Sequence, residues 1–430
     1  MKKILLFTLL FMSIFASLHA QQAKLDPTNF IVMGGGLSAG FADFRLSESS
    51  QQNSYPVFMA RQMGTIMPVP TVREDANPGI LIAPGTLIAF DPVPDILPRV
   101  RQSGTRALPF PFFAFNLSVP FLRVSESLNR RPQPVAGADK PLLVQEGDLK
   151  QSLINMLLGF PYFFLDSPVP RLTQVEYAET MNPTVIIVEL GFGDVIDTAL
   201  SGGTAQATSV ESFTADYTKL VNRLQKTFAT VLLMNAPDPT DTGYFSSVQE
   251  VAQLYRIDSA TLATQFGLQS GDLVTVSGLV EIADRLRGRR TGSLSSRAVL
   301  RASVAASIQN AVRGYNSAIA SVGSSNSLRV FDLYAFTKEV RATGVQAGSF
   351  RLKGGYRQGF YSQDGLFPSP TGHAVLANRL LQFLNSSYGT NYSPVDVDAV
   401  AKRDDLVPKP EDGVSPPASA KQRRESAAIP

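Results

Sequence analysis

Five apolar runs bounded by turn residues constrain this chain most: FIVM (30–33), FFAFNLSV (112–119), TVIIVELG (184–191), ATVLLMNAP (229–237) and LRVFDLY (328–334). Runs this continuous leave no polar face for water, so each reads as a strand buried on both sides. The runs are widely spaced, and the sequence between them carries helical patterns. In ADYTKLVNRLQKTF, Tyr217, Leu220, Val221, Leu224 and Phe228 fall on one helical face. Two further helices are expected from about Ser295 to Val322 and from Thr371 to Asn385. Alternation of this kind predicts an α/β chain with a parallel sheet and helices on both faces.

The two ends differ from the middle. Lys2 and Lys3 precede the apolar run ILLFTLLFMSIFA, and SLHA follows before Gln21. That order of charge, apolar stretch and small residues reads as a secretory signal peptide over 1–20, so the mature chain is expected in the periplasm or at the outer membrane or cell surface. No later window reaches about 18 uninterrupted apolar residues, so no transmembrane span is expected in the mature chain. Residues 396–430 are charged, proline-containing and almost free of large apolar groups, which predicts a disordered tail. The main domain is therefore expected over 26–395. A stretch at about 238–295 is too long for an ordinary connection and reads as a partly helical insertion or cap. Within it, DRLRGRRTG (284–292) reads as a solvated loop face.

Composition excludes several classes of chemistry. The 430 residues contain no cysteine, which removes disulfides, thiolate metal sites, cysteine nucleophiles and the lipidated cysteine of a lipoprotein. Without the two lysines of 1–20 the formal charge falls from +3 to +1, so no nucleic-acid partner is implied. Of two histidines, His19 lies in the export segment, which leaves His373 alone in the mature chain.

The stretch MGGGLSAG (33–40) carries the chemistry question. Gly34, Gly36 and Ala39 satisfy G-x-G-x-x-G/A directly after an apolar run, as a dinucleotide site requires. Such a site also needs a helix and then a second strand ending in an acid about 20 residues on. FADFRLSESSQQNSYPVFMARQMG offers a polar loop and a short helix instead, so no cofactor is expected.

A second reading accounts for more of the chain. Gly34 to Gly40 resembles the G-D-S-L-S-A-G nucleophile motif of the SGNH or GDSL hydrolases with Asp and Ser replaced by glycine. QNSYPVFMARQMG resembles the segment that follows it. FNLSVPFLRVSESL (115–128) resembles the block N-L-x-V-P-G with Phe121 at the glycine. ELGFGDVI (189–196) resembles G-x-N-D with Gly193 at the asparagine. YSQDGLFPSPTGHAVLANRLLQFLN resembles S-x-D-G-x-H-P-T-x-x-G-x-A-x-x-A-N with Phe367 at the histidine. The resemblance runs from about residue 27 to 393. It implies a flavodoxin-like three-layer sandwich with a five-stranded parallel sheet, in which Gly36, Gly193 and Phe367 converge at the C-terminal edge.

The resemblance also implies what is missing. The family uses a serine nucleophile, a histidine base oriented by an aspartate, and an oxyanion hole. Here those positions hold Gly36, Phe367, Phe121 and Gly193, and only Asp364 is retained. Gly36 cannot form an acyl-enzyme and Phe367 cannot accept a proton. No catalytic set is expected, and no metal site. The alternative is a divergent esterase or lipase hydrolysing an acyl ester through a relocated pair, Ser38 and His373. Against it, His373, Leu376, Ala377, Leu380 and Leu384 lie on one helical face, and Ser38 is placed to cap or close a turn. The two phenylalanines make the cleft apolar, suited to a hydrophobic ligand or to being filled by its own side chains, and the second is preferred. The reading that follows is a pseudoenzyme acting as a binding or scaffold component of the cell envelope. Its partner would be an envelope protein, such as one of the outer membrane, or a lipid or glycan.

Overall fold

The computed structural model describes residues 25–72, 113–133, 148–159 and 171–407. The expected export segment at 1–20 and the tail beyond 407 lie outside the described residues.

Strands β1 (Phe30–Gly34), β2 (Val185–Glu189) and β3 (Thr230–Met234) pair in parallel in that spatial order. The register sets Phe30 opposite Val185 and Gly34 opposite Glu189. The chain then enters the insertion, where β4 (Phe245–Ser247), β5 (Leu273–Thr275) and β6 (Val299–Leu300) form a separate antiparallel sheet. Helices Val248–Tyr255, Ser259–Phe266 and Val276–Leu286 accompany it. Val251, Leu262, Val274 and Ile282 build it a small apolar core of its own. The chain returns as β7 (Arg329–Phe331), parallel to β3 with Met234 opposite Phe331.

Every residue of β1 and β2 is buried. Because alternate side chains point to opposite faces, burial throughout means that both faces are covered. Helix Val210–Leu224, capped by the Ser209 side chain, packs against the helix Ala302–Ser325. Helix Pro370–Tyr388, with Ser369 as its cap and Pro370 at its first position, packs against Tyr55–Met63. The result is an α/β fold with a four-stranded parallel sheet flanked by helices, consistent with a three-layer sandwich.

The sheet departs from the expected five strands. The run at 112–119, described from residue 113, lies beside β1 but makes only an isolated parallel bridge between Asn116 and Val32. Val32 donates to the Phe115 carbonyl, and Leu117 and Val119 donate to the carbonyls of Val32 and Gly34. The amides of Phe115 and Asn116 turn to the Pro68 carbonyl, and the Asn116 side chain accepts from the Ser118 amide. The bonds to Pro68 and the local one to Asn116 interrupt what would otherwise be a regular ladder on β1.

Three other expectations are corrected. The helix expected from Ser295 begins at Ala302, because Val299 and Leu300 pair with β5. Phe228 does not extend the buried face of Val210–Leu224. That helix gives way to a 3₁₀ turn at Gln225–Thr227, and Phe228 follows with φ 60° and 96% exposure. Residues 396–407, expected to begin a disordered tail, carry the helix Val397–Ala401, capped by Asp396. Val397, Val400, Ala401 and Val407 are buried, and this helix packs on Pro370–Tyr388. Val397, Val400 and Ala401 share one side of the short helix, and Val407 adds a buried contact beyond it.

The Phe228 geometry predicts that Phe228→Asp leaves stability within about 0.5 kcal/mol of the natural protein. Leu220→Ala, from the buried face of the same helix, is expected to lose about 2–5 kcal/mol. Urea denaturation of both variants checks the contrast.

Candidate functional site

β1 ends at Gly34 and the chain turns into one helical turn, Gly36–Ala39, closed by Gly40 in the left-handed conformation at φ 73°. Only glycine fits at Gly34. A Cβ there would lie 2.5 Å from Ser38 Oγ and 2.7 Å from Glu189 Oε2. The turn is fastened from below by Glu189, the last residue of β2. Its Oε2 accepts from the Gly35 amide at 3.0 Å, the Ser38 amide at 3.3 Å and the Ser38 hydroxyl at 2.8 Å. Ser38 Oγ also lies 2.7 Å from the Tyr55 hydroxyl. Ser38 is thus a fully buried part of the turn's own bonding.

His373 is brought close to the same network without joining it. Its Nδ1 accepts the Tyr55 amide at 3.3 Å, and its buried Nε2 has no hydrogen-bond partner. Burial lowers its pKa to about 3, so the ring is neutral. Tyr55 therefore bonds Ser38 through its hydroxyl and His373 through its backbone, and no hydrogen bond joins the serine to the histidine.

The four positions assigned by resemblance to nucleophile, base and oxyanion hole come together, and they come together filled. A Cβ on Gly36 would lie 2.4 Å from Phe367 Cζ, so the ring takes the space a serine side chain would need. Phe367 is 2% exposed and stands edge-on to Phe41, Phe121 and Phe192, with ring centroids 5.5, 5.8 and 5.8 Å away. Such pairs each contribute about 0.5–1.5 kcal/mol beyond their burial. Phe121 holds a left-handed backbone at φ 64°, which costs a non-glycine residue about 1–2 kcal/mol. Its ring packs 5.4 Å from Phe41. A Cβ on Gly193 would lie 2.1 Å from the Leu122 carbonyl oxygen, which leaves no room for an asparagine.

Asp364 holds the loop that carries Phe367. Its Oδ1 accepts the amides of Leu366 at 2.7 Å and Phe367 at 3.0 Å, and Oδ2 accepts the Phe44 amide at 3.4 Å. The Tyr244 amide donates to the Gly365 carbonyl at 2.8 Å, so the start of the insertion braces the same loop. Asp194, next to Gly193, accepts from the Val124 amide at 3.0 Å and the Thr208 hydroxyl at 2.8 Å.

Burial dominates the electrostatics. It raises Glu189 and Asp364 to about 7 and Asp194 to about 6, against the opposing pull of their hydrogen bonds. Glu189 and Tyr55 were not anticipated from sequence. The available signal was an acid inside the otherwise apolar run TVIIVELG, where a charge needs fixed donors. Among the described residues no group of three or more His, Cys, Asp or Glu could hold a metal ion. No helix among them is long and apolar enough to cross a membrane.

No family model matches this chain, and no curated protein matches it. Among solved structures it is similar to a candidate GDSL-like lipase from Parabacteroides merdae, at 9% identity and a TM-score of 0.38. That match covers 84% of this chain and 99% of the other.

The contact between Gly36 and Phe367 predicts coupled substitutions. Gly36→Ala is expected to lose about 1–3 kcal/mol by overpacking against the ring. Phe367→Ala is expected to lose about 3–5 kcal/mol. The double variant should lose less than the sum, because removing the ring makes room for the methyl group; a double-mutant cycle in urea measures this.

The raised carboxyls set the sign of the pH dependence. The folded protein holds protons on Glu189, Asp364 and Asp194 more tightly than the unfolded chain does. Their contribution is therefore present at low pH and lost as pH rises from the ordinary carboxyl range through about 7. His373 acts oppositely, since the fold keeps it neutral and stability falls as pH drops below the ordinary imidazole range. Three carboxyls outweigh one imidazole, so the urea midpoint is expected to be higher at pH 5 than at pH 8.

Proposed function

We propose that this protein is an exported, catalytically inactive relative of the SGNH/GDSL hydrolases that serves as a binding or scaffold component of the cell envelope. The observation that carries the proposal is the Phe367 ring, whose Cζ stands 2.4 Å from where a Cβ on Gly36 would be. The site is closed by the same residue that replaces the base. Losing nucleophile and base together removes the covalent route, whereas losing one oxyanion donor slows it by about 10²–10³. The retained sequence blocks around a filled centre support reuse of the fold for binding. Fold alone does not establish function, so the role rests on the site and the export-type leader. The partner is an envelope protein, or a lipid or glycan, rather than an acyl ester turned over at Ser38.

The test is hydrolysis of a short activated ester by the purified protein, with envelope fractionation and pull-down from envelope membranes alongside. The expected outcome is no turnover above background, no change on Ser38→Ala, and recovery of the protein with the envelope fraction. Turnover that Ser38→Ala abolishes would overturn the inactive reading and restore the esterase.

A further inference from the structure

The helix Val276–Leu286 runs into an arginine-bearing loop, and every residue from Arg287 to Ser293 is exposed. A buried ion pair braces that loop from behind. Arg285 meets the Glu281 carboxylate at 3.0 Å and donates to the carbonyls of Gly292 and Ser293. Glu281 also accepts the Ser295 amide at 3.0 Å. Two more arginines join Arg287 and Arg289 from distant parts of the chain. Arg256 follows Tyr255 at the end of the helix Val248–Tyr255, and Arg357 follows Tyr356 in the turn that the Gln358 amide closes on the Gly355 carbonyl. Tyr255, Leu286 and Tyr356, each directly before an arginine, pack against the same small core of the insertion. Arg287 and Tyr356 are both electrostatic neighbours of the Tyr255 hydroxyl, and Arg357 is one of the Tyr356 hydroxyl. Leu254, next to Tyr255, is 58% exposed. We propose that this edge of the insertion docks on the surface of an anionic phospholipid bilayer, with Arg256, Arg287, Arg289 and Arg357 on lipid phosphates and Leu254 at the acyl boundary. The inference rests on the envelope role proposed above and commits it to a lipid partner.

Three observations carry it. First, Arg285 and Arg301 of the insertion pair with Glu281 and Asp272, whereas Arg256, Arg287, Arg289 and Arg357 form no ion pair among the described residues. Two acids accompany them: Asp284, and Asp258, which caps the next helix through Thr261. Four guanidiniums therefore outnumber two carboxylates, on a chain whose 39 basic and 36 acidic residues nearly cancel. Second, Arg256 and Arg357 hold left-handed backbone at φ 55° and 57°, where glycine would be free of strain. Strained positions that keep a long side chain cluster at binding sites. A cation at a helix C-terminus is favourable in itself, which bears on Arg256 and Arg287, but Arg357 closes no helix. Third, the exposed leucine gives the charged edge an apolar tip.

A bilayer answers both features. Guanidinium forks match phosphate oxygens, and an anionic leaflet attracts each arginine brought near it. An apolar side chain that enters the acyl boundary adds to that attraction. A neutral glycan offers the guanidiniums no charge, and a soluble polyanion offers Leu254 nothing apolar.

The test is cosedimentation of the purified protein, as recovered after export, with phosphatidylcholine vesicles with and without about 30% phosphatidylglycerol. Binding is expected with the anionic vesicles only, and it should fall about tenfold at high salt, where exposed charges are screened. Each of Arg256→Gln, Arg287→Gln, Arg289→Gln and Arg357→Gln is expected to lower the partition coefficient about fivefold. Lys226→Gln removes an equal charge from the turn before β3, at the opposite end of that strand from the insertion, and should lower it by less than about twofold. Leu254→Ser should weaken vesicle binding severalfold and leave retention on heparin unchanged. All these side chains are exposed, so the variants are expected to fold as the natural protein does. Equal binding to neutral vesicles, binding indifferent to salt, a Lys226→Gln loss as large as that of Arg287→Gln, or vesicle binding unchanged by Leu254→Ser would overturn the proposal. So would no binding at all. Envelope fractionation and ester hydrolysis on the same protein separate the two readings. Recovery with the envelope but not with vesicles rejects the lipid surface and leaves the scaffold reading standing, whereas Ser38-dependent turnover rejects the inactive reading.

Discussion

The Glu189 carboxylate is the tie on which the centre of this molecule depends. A turn that leaves β1 and at once begins a short helix exposes amide donors that have no partner within the helix. Glu189 supplies the acceptor from the neighbouring strand, bonding Gly35 and Ser38 through a single oxygen. The parallel register makes this possible, since Gly34 stands opposite Glu189 at the ends of the two strands. Gly34 must then be glycine, because Ser38 Oγ and Glu189 Oε2 occupy the space of its side chain. With the turn fixed this way, Ser38 is held inward, and its hydroxyl bonds Glu189 and Tyr55.

The aromatic centre stands on that turn. Gly36 leaves a gap, and Phe367 fills it from a loop held by Asp364 and braced by the insertion through Gly365. Asp364 thus has a mechanical task. It accepts the backbone amides that set where the phenylalanine stands. The centre is apolar and assembled by edge-to-face ring contacts among Phe41, Phe121, Phe192 and Phe367.

Much of this frame was legible in the sequence. The runs that became β1, β2 and β3 are continuous and apolar because both faces of a parallel sheet are covered. Tyr217, Leu220, Val221 and Leu224 marked the buried face of their helix by spacing alone. Phe228 kept that spacing but not the helix, since periodicity carries no information about where the backbone turns left-handed. The run at 112–119 forms no regular strand in its described part: Leu117 and Val119 bond β1, but the amides of Phe115 and Asn116 go to Pro68, a contact between segments far apart in sequence. The meeting of Gly36 with Phe367 followed from the order of the blocks. Glu189 and Tyr55 did not: a lone acid at the end of an apolar run reads as a strand terminus, and its three donors appear only once β1 and β2 are paired.

The same geometry separates constraints set by side chains from those set by the backbone. At Gly36 the obstacle to a side chain is the Phe367 ring, so a smaller residue at 367 would make room for one. Gly193 is different, because its obstacle is the Leu122 carbonyl of the backbone. That carbonyl follows Phe121, whose left-handed conformation aims the chain at Gly193. An asparagine donor therefore requires the 119–124 segment to move, and that segment is held by Val119 on Gly34 and by Val124 on Asp194. Side-chain exchange can open the space at Gly36, but the space at Gly193 is closed by main chain. The constraint there lies in the backbone path between Phe121 and Asp194.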